Sequence, residues 1–195
     1  MSKKIILATT SPYRKQAFAM LNIDFITEGS EVDEYTADCP SDSQELVKYL
    51  ARLKAEAVAK NYQEGIVIGF DSVGCFRNEI LEKPKSREEA ANRLKTISGQ
   101  TFDFYTGVFA INLKTSHEVV KLVKTQAKLR ALTEAEINKY LDEDENFMTY
   151  ALGFDPLKHY SSTFVREITG SYNNLLRGIP LETIIEILQE TDCLE

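Results

Sequence analysis

Hydrophobic positions along the chain form two patterns, short continuous runs and longer runs of helical spacing. Ile5, Ile6, Leu7 and Ala8 are continuously apolar, so Lys4 to Thr9 read as a first strand. Helical spacing follows at Ala17, Phe18, Met20 and Leu21, behind Ser11 as N-cap and Pro12 at the first helical position. Asp24 to Thr27 read as a second strand. Leu46, Val47, Leu50, Leu53, Ala57 and Val58 mark a long helix from Ser43 to Asn61. Ile66, Val67 and Ile68 are a β-branched run of the kind buried on both faces of a sheet. A turn at Asn78-Glu79 would fold a strand pair back on itself.

Ser86 to Ser98 read as a helix with a Ser86/Glu89 capping box, with Ala90, Leu94 and Ile97 facing the core and Gly99 ending it. Thr101 to Leu113 and Val119 to Leu132 are strands by their β-branched and aromatic content, with a turn near Lys114 to His117. Thr133 with Glu136 opens a further helix to Leu141, and Asp142 to Glu145 form a turn or exposed face. Tyr150 to Ser162 have no clear period and read as a loop. Phe164 to Ile168 read as a strand, Gly170 to Asn174 as a turn, and Pro180 to Leu188 as a final helix. Strands alternating with helices predict an α/β fold, a mixed twisted sheet flanked by helices in a single domain over residues 1–195.

Composition narrows the class. At 43% hydrophobic and 27% charged residues the chain is globular, and a net charge of −7 leaves no broad footprint for nucleic acid. Cys39, Cys75 and Cys193 have neither metal-site spacing nor a disulfide pattern, which fits a reducing cytoplasm. The apolar run after Lys3-Lys4 is too short for a signal peptide, and no stretch is long enough to span a bilayer.

Candidate chemistry begins where the Ile66–Ile68 run gives out. Asp71 and Ser72 follow Gly69 there, and a carboxylate in such a place is either half of a structural ion pair or the start of a site. The strand pair would return Lys83 towards Asp71. Ser11-Pro12 places a helix N-terminus after the first strand, with Arg14 in its first turn, an arrangement that seats phosphate. Ligand clefts in such sheets lie beyond the strand ends, which would gather Ser11, Arg14 and Asp71 at one rim. Glu31, Asp33 and Glu34 lie in an acidic loop from Glu28 to Asp38, which is either solvated or a source of a metal ligand.

Seven segments in this order resemble the Maf-like nucleoside triphosphate pyrophosphatases. They are Ile-Leu-Ala-Thr-Thr-Ser-Pro-Tyr-Arg-Lys (6–15), Val-Asp-Glu (32–34), Leu-Ala-Arg-Leu-Lys-Ala (50–55), Ile-Gly-Phe-Asp-Ser-Val (68–73), Glu-Ile-Leu-Glu-Lys-Pro (79–84), Tyr-Thr-Gly (105–107) and Gly-Ser-Tyr-Asn-Asn (170–174). The resemblance implies a fold with a deep cleft and cleavage of a nucleoside triphosphate to monophosphate and pyrophosphate, a house-cleaning reaction of nucleotide metabolism. It implies Asp71 as general base, Glu34, Lys54 and Lys83 as charged site residues, and Ser11 and Arg14 as the phosphate-binding turn. Glu34 and Asp71 would share a divalent ion, Mg2+ or Mn2+, with the substrate phosphates.

Tyr13, Ser72 and Gly153 depart from the branch resembling dTTP/UTP pyrophosphatases, which carries Arg, Thr and Gln at those places. An aromatic at position 13 resembles the 7-methyl-GTP branch, where stacking and cation–π attraction suit a methylated purine. Tyr13 puts 7-methyl-GTP ahead of dTTP and UTP as the expected substrate, while Ser72 stands where that branch usually carries Gln and Gly170 to Asn174 is closer to the dTTP/UTP branch. The late segment Leu152 to Ser162 is longer than the family pattern and lacks its polar base-reading residue. A nucleotide-binding regulator of cell division is the alternative, and a homodimer is compatible with the resemblance. An aspartyl-phosphate phosphatase does not fit, because Val73 stands where the second acid of Asp-x-Asp is needed.

Overall fold

The structure, a computed structural model, describes residues 4–34, 38–150, 152–191 and 193. Residues 1–3 of the basic start, 35–37 of the acidic loop and residue 151 of the late loop lie outside the described residues. In chain order the elements are β1 (Ile5–Ala8), α1 (Pro12–Ala19), β2 (Phe25–Glu28), α2 (Ser43–Ala59), β3 (Ile66–Phe76), β4 (Glu79–Leu81) and α3 (Arg87–Ile97). They continue with β5 (Thr101–Asn112), β6 (His117–Leu129), α4 (Glu134–Glu143), β7 (Val165–Gly170), α5 (Tyr172–Arg177) and α6 (Leu181–Glu190). The strands form a mixed seven-stranded sheet in the order β2-β1-β3-β5-β6-β7, with β4 paired to β3. Among the described residues no helix is long and apolar enough to cross a membrane.

Contacts divide the chain into two compact units, Met1–Ser72 with Tyr105–Val123 and Arg177–Glu195, and Val73–Phe104 with Lys124–Leu176. In the first unit β1 lies between β2 and β3, parallel to both, with Leu7 opposite Thr27 and Ile68. Period-two alternation sorts these strands between two cores. Ile5, Leu7, Ile66, Ile68, Phe70, Val108 and Ala110 pack with Phe18 of α1 and Ile184 and Ile187 of α6. Ile6, Ala8, Val67 and Phe109 pack on the other face against Ala51, Ala55 and Val58 of α2. Burial on both faces is why β1 and the start of β3 are continuously apolar.

The second unit packs Ala90, Leu94 and Ile97 of α3 and Ile137, Tyr140 and Leu141 of α4 against Phe102, Phe104, Ala127 and Leu129. The late loop joins this core through Leu152, Phe154 and Phe164, so it is irregular but buried. Several details differ from the sequence expectation. The hairpin turn is Arg77-Asn78, both at positive φ (52° and 66°), and Glu79 already pairs with Phe76. A two-residue turn requires that backbone at both positions, and Asn tolerates it well. Ser86 caps α3, but the Glu89 carboxylate accepts from the Lys85 N–H, so the box closes one residue early. Met20 is exposed instead of joining the apolar stripe of α1. Gly170 to Asn174 is a turn only at its start, because Ser171 Oγ accepts from Asn174 N–H and a helix runs on to Arg177.

The capping box of α4 is complete and is tied further into the second unit. Glu136 accepts from Thr133 N–H and from Tyr160 Oη–H, and pairs with Arg130 at 2.8 Å. Chiefly through the Arg130 hydrogen bond, its carboxyl is pulled from 4.5 down to about 2. A depressed carboxyl contributes stability that is fully present above the ordinary value and is lost as pH falls through the folded one. Thermal midpoints recorded from pH 5 to pH 2 are therefore expected to fall less steeply in Glu136→Gln than in the wild type.

Candidate active site

The site is assembled in the first unit where three segments meet the middle of β3, which runs on to Phe76, so Asp71 stands within the strand and not at the strand end that the apolar run suggests. Continuing the alternation of β3, Val67, Gly69 and Asp71 face α2, whereas Phe70 and Ser72 face the side of α1 and α6. Asp71 is 7% exposed, and no apolar partner on that face would accommodate its charge. Lys54 of α2 does so, with Nζ 2.6 Å from Asp71 Oδ1. The same Nζ lies 2.6 Å from Glu34 Oε1, so one ammonium bridges two carboxylates. Burial pushes the Asp71 carboxyl up, while Lys54 and then Arg14 pull it down, and burial prevails.

Glycines allow Lys54 to reach Asp71. A Cβ on Gly69 would stand 2.1 Å from the Ala51 carbonyl oxygen, and one on Gly107 of β5 would stand 2.2 Å from that of Val47. Helix α2 thus rests backbone to backbone on β3 and β5, with no room for a methyl group. Overpacking at such points typically costs about 1–3 kcal/mol, and more where backbone must move. Gly69→Ala is expected to lose at least that much stability in chemical denaturation and to weaken the Lys54–Asp71 pair, whereas Gln44→Ala, at an exposed position of the same helix, should leave stability within about 0.5 kcal/mol.

Ser11 caps α1 by accepting from the Arg14 N–H at 3.4 Å. The Arg14 side chain turns towards protein acceptors. Nε donates to the Gly178 carbonyl at 2.8 Å, Nη2 to Ser72 Oγ at 2.8 Å and Nη1 to the Phe70 carbonyl at 3.5 Å. Ser72 Oγ in turn lies 2.7 Å from Thr106 Oγ1, which is fully buried. Burial lowers the Arg14 pKa against the opposing pull of Asp71 and Glu34. The Tyr13 ring carries the Arg177 guanidinium 5.7 Å from its centre.

The first unit therefore brings together Ser11, Tyr13, Arg14, Glu34, Lys54, Asp71 and Ser72. Lys83 and Gly153 belong to the second unit. Lys83 is exposed two residues beyond β4. Gly153 is buried at φ 76°, and a Cβ there would lie 3.7 Å from Pro84. Thr106, Arg177 and Gly178 join these residues without being legible in the sequence. Thr106 stood in the quoted Tyr-Thr-Gly segment without a role; Arg177 and Gly178 carried no local signal.

For a divalent ion the donor chemistry fits. Glu34 and Asp71 are the hard oxygen donors that Mg2+ takes in small number beside water and phosphate, and because the Lys54 ammonium fills the point between them an ion would bind beside that ammonium. No larger group of His, Cys, Asp or Glu gathers among the described residues.

Fold and site together define a mixed α/β protein with a carboxylate–ammonium–carboxylate centre built on the middle of strand β3. The chain belongs to the Maf-like protein family, whose model matches residues 4–191. It is 35% identical over 186 residues to a dTTP/UTP pyrophosphatase of Clostridium novyi, covering 94% of this chain and 95% of the relative. It is equally similar, over 190 residues and 97% and 96% of the two chains, to a dTTP/UTP pyrophosphatase of Bacillus cereus. A 7-methyl-GTP pyrophosphatase of Nitrosococcus oceani is 32% identical over 193 residues, 95% of this chain and 92% of the relative. Among solved structures the Staphylococcus aureus Ham1 protein overlays with a TM-score of 0.45 at 19% identity, covering 65% of this chain and 72% of that one.

Proposed function

We propose that the chain is a nucleoside triphosphate pyrophosphatase that releases pyrophosphate and a nucleoside monophosphate. The observation carrying this reading is the Lys54 ammonium held 2.6 Å from both Asp71 and Glu34. In the reaction a water oxygen bonds to the α-phosphorus, the bond from that phosphorus to the bridging oxygen breaks, and pyrophosphate leaves. Asp71 takes the water's proton, a task for which a carboxylate pushed above its usual range is better suited than an ordinary one. Lys54 keeps Asp71 ionised and presents positive charge where negative charge develops on the phosphoryl oxygens. Glu34 fixes the ammonium from the solvent side. A divalent ion bound by Glu34 and Asp71 would neutralise phosphate charge there.

For the base, dTTP and UTP stand ahead of 7-methyl-GTP, which reverses the order expected from position 13. The relatives support this, and so does the packing of Tyr13. A ring free to stack would suit a methylated purine, yet this ring already carries the cation of Arg177.

The test is pyrophosphate release from dTTP, UTP, CTP and 7-methyl-GTP with Mg2+ or Mn2+, for the wild type and Asp71→Ala. Release from a member of the panel, cut about 10²–10⁴-fold in the variant, is the expected result. Silence across the panel with nucleotide binding retained would leave a regulator, and activity indifferent to chelator would remove the metal from the reading. The general base must be ionised, so kcat/KM is expected to fall on the acid side at a pH above the ordinary Asp range of about 4. Lys54→Met removes the strongest opposing cation and should move that limb to higher pH.

A further inference from the structure

We propose that Arg14 is a positioning residue for Asp71, and that its guanidinium is a clasp closed on the protein instead of a contact to the substrate's phosphates. The inference rests on the pyrophosphatase reading and assigns one residue of that site a different task from the one its place in the phosphate-binding turn implies.

Two of the three hydrogen bonds from the Arg14 side chain bracket the general base. Arg14 donates to the carbonyl of Phe70 and to the hydroxyl of Ser72, the residues on either side of Asp71, and through Nε to the carbonyl of Gly178. Each is a different segment from α1, separated from Arg14 by 56, 58 and 164 positions. Two are backbone carbonyls, which offer neutral acceptors at fixed places and cannot rotate away as a side chain can. The Ser72 hydroxyl is itself held by the buried Thr106 hydroxyl. The guanidinium also lies over the Phe70 ring, 5.5 Å from its centre.

The alternation of β3 links this clasp to the carboxylate. Phe70 and Ser72 lie on the face that receives Arg14, and Asp71 projects from the opposite face towards Lys54. A clasp that fixes residues 70 and 72 from one side thereby fixes the backbone from which the carboxylate leaves on the other. The fit is tight at its far end too, since a Cβ on Gly178 would stand 3.2 Å from Ser72 Oγ and 3.5 Å from Arg14 Nη2. Nothing in this arrangement calls for charge alone. It calls for a planar fork with donors in three directions, which lysine lacks.

That difference supplies the experiment. Wild type, Arg14→Lys, Arg14→Ala and Ser72→Ala are compared in kcat and KM on the nucleotide turned over. Calorimetry measures their binding of the α,β-methylene analogue of UTP. The expected result is a kcat reduced about 100-fold in both Arg14 variants, as small misplacement of a catalytic group can produce. KM and analogue binding should stay within about threefold, because an interaction that only orients the base affects turnover more than ground-state binding. Ser72→Ala, which removes one acceptor and leaves the cation, should show the same split in milder form, and it keeps the proposal testable where the Arg14 variants fold poorly. The proposal is overturned when Arg14→Ala weakens analogue binding tenfold or more and Arg14→Lys restores it, the signature of a phosphate contact. A wild type that hydrolyses no nucleotide would sink the pyrophosphatase reading instead, and the binding comparison would still decide whether Arg14 touches phosphate.

Discussion

The site depends on helix α2 lying directly on the backbone of two strands. Gly69 and Gly107 have no side chains to hold the helix away, and the carbonyls of Ala51 and Val47 occupy the space where methyl groups would be. Lys54 comes one turn after Ala51 on the same helix, so the closeness that glycine permits is what lets an ammonium meet a carboxylate on a buried strand. With side chains at both glycines the helix would ride higher and Asp71 would face a gap. A buried carboxylate without a partner takes up a proton in preference to staying charged.

The two arms of the ammonium bridge are not equivalent. Asp71 and Lys54 have side chains only 10% and 13% exposed, whereas the Glu34 side chain is 44% exposed. Water and salt screen the outer arm, so its contribution to folding is small, as for other surface pairs. The inner arm sits in a medium where its attraction is strong but is set against the desolvation of both ions. Such a pair is poor value as a stabiliser and well suited to chemistry, since a water or a phosphate oxygen entering from the Glu34 side meets charges already fixed in place.

How much of this could be read from the chain depends on the range of the interaction. The Ser11-Pro12 start of α1, the helical spacing of α2 and the continuous apolar strands are local features, and the fold built from them matches the sheet observed. Asp71 was legible because a carboxylate at the end of an apolar run is an anomaly. The acceptors of Arg14 were not, because nothing near Gly178 records that its carbonyl will meet a guanidinium from position 14. For the same reason Arg14, in the first turn of α1, reads from the sequence as part of a phosphate seat. The structure gives it carbonyls and a hydroxyl. The turn at Arg77-Asn78 was misplaced by one residue for a different reason, since Asn alone marks such a turn without saying which of its two positions it fills.

Tyr13 shows how an isolated residue can mislead where its partner is distant. Taken alone, an aromatic ring beside a phosphate-seating turn invites a cationic base. In the folded chain the ring meets Arg177, whose neighbour Gly178 is held by Arg14, so positions 13 and 14 contact positions 177 and 178 as a block. Tyr13 thus has a partner within the protein that does not depend on any base. An aromatic residue at this position therefore does not by itself separate the two branches. Discrimination between a methylated purine and a pyrimidine has to come from groups that meet the base edge, where hydrogen bonds left unmade are costly.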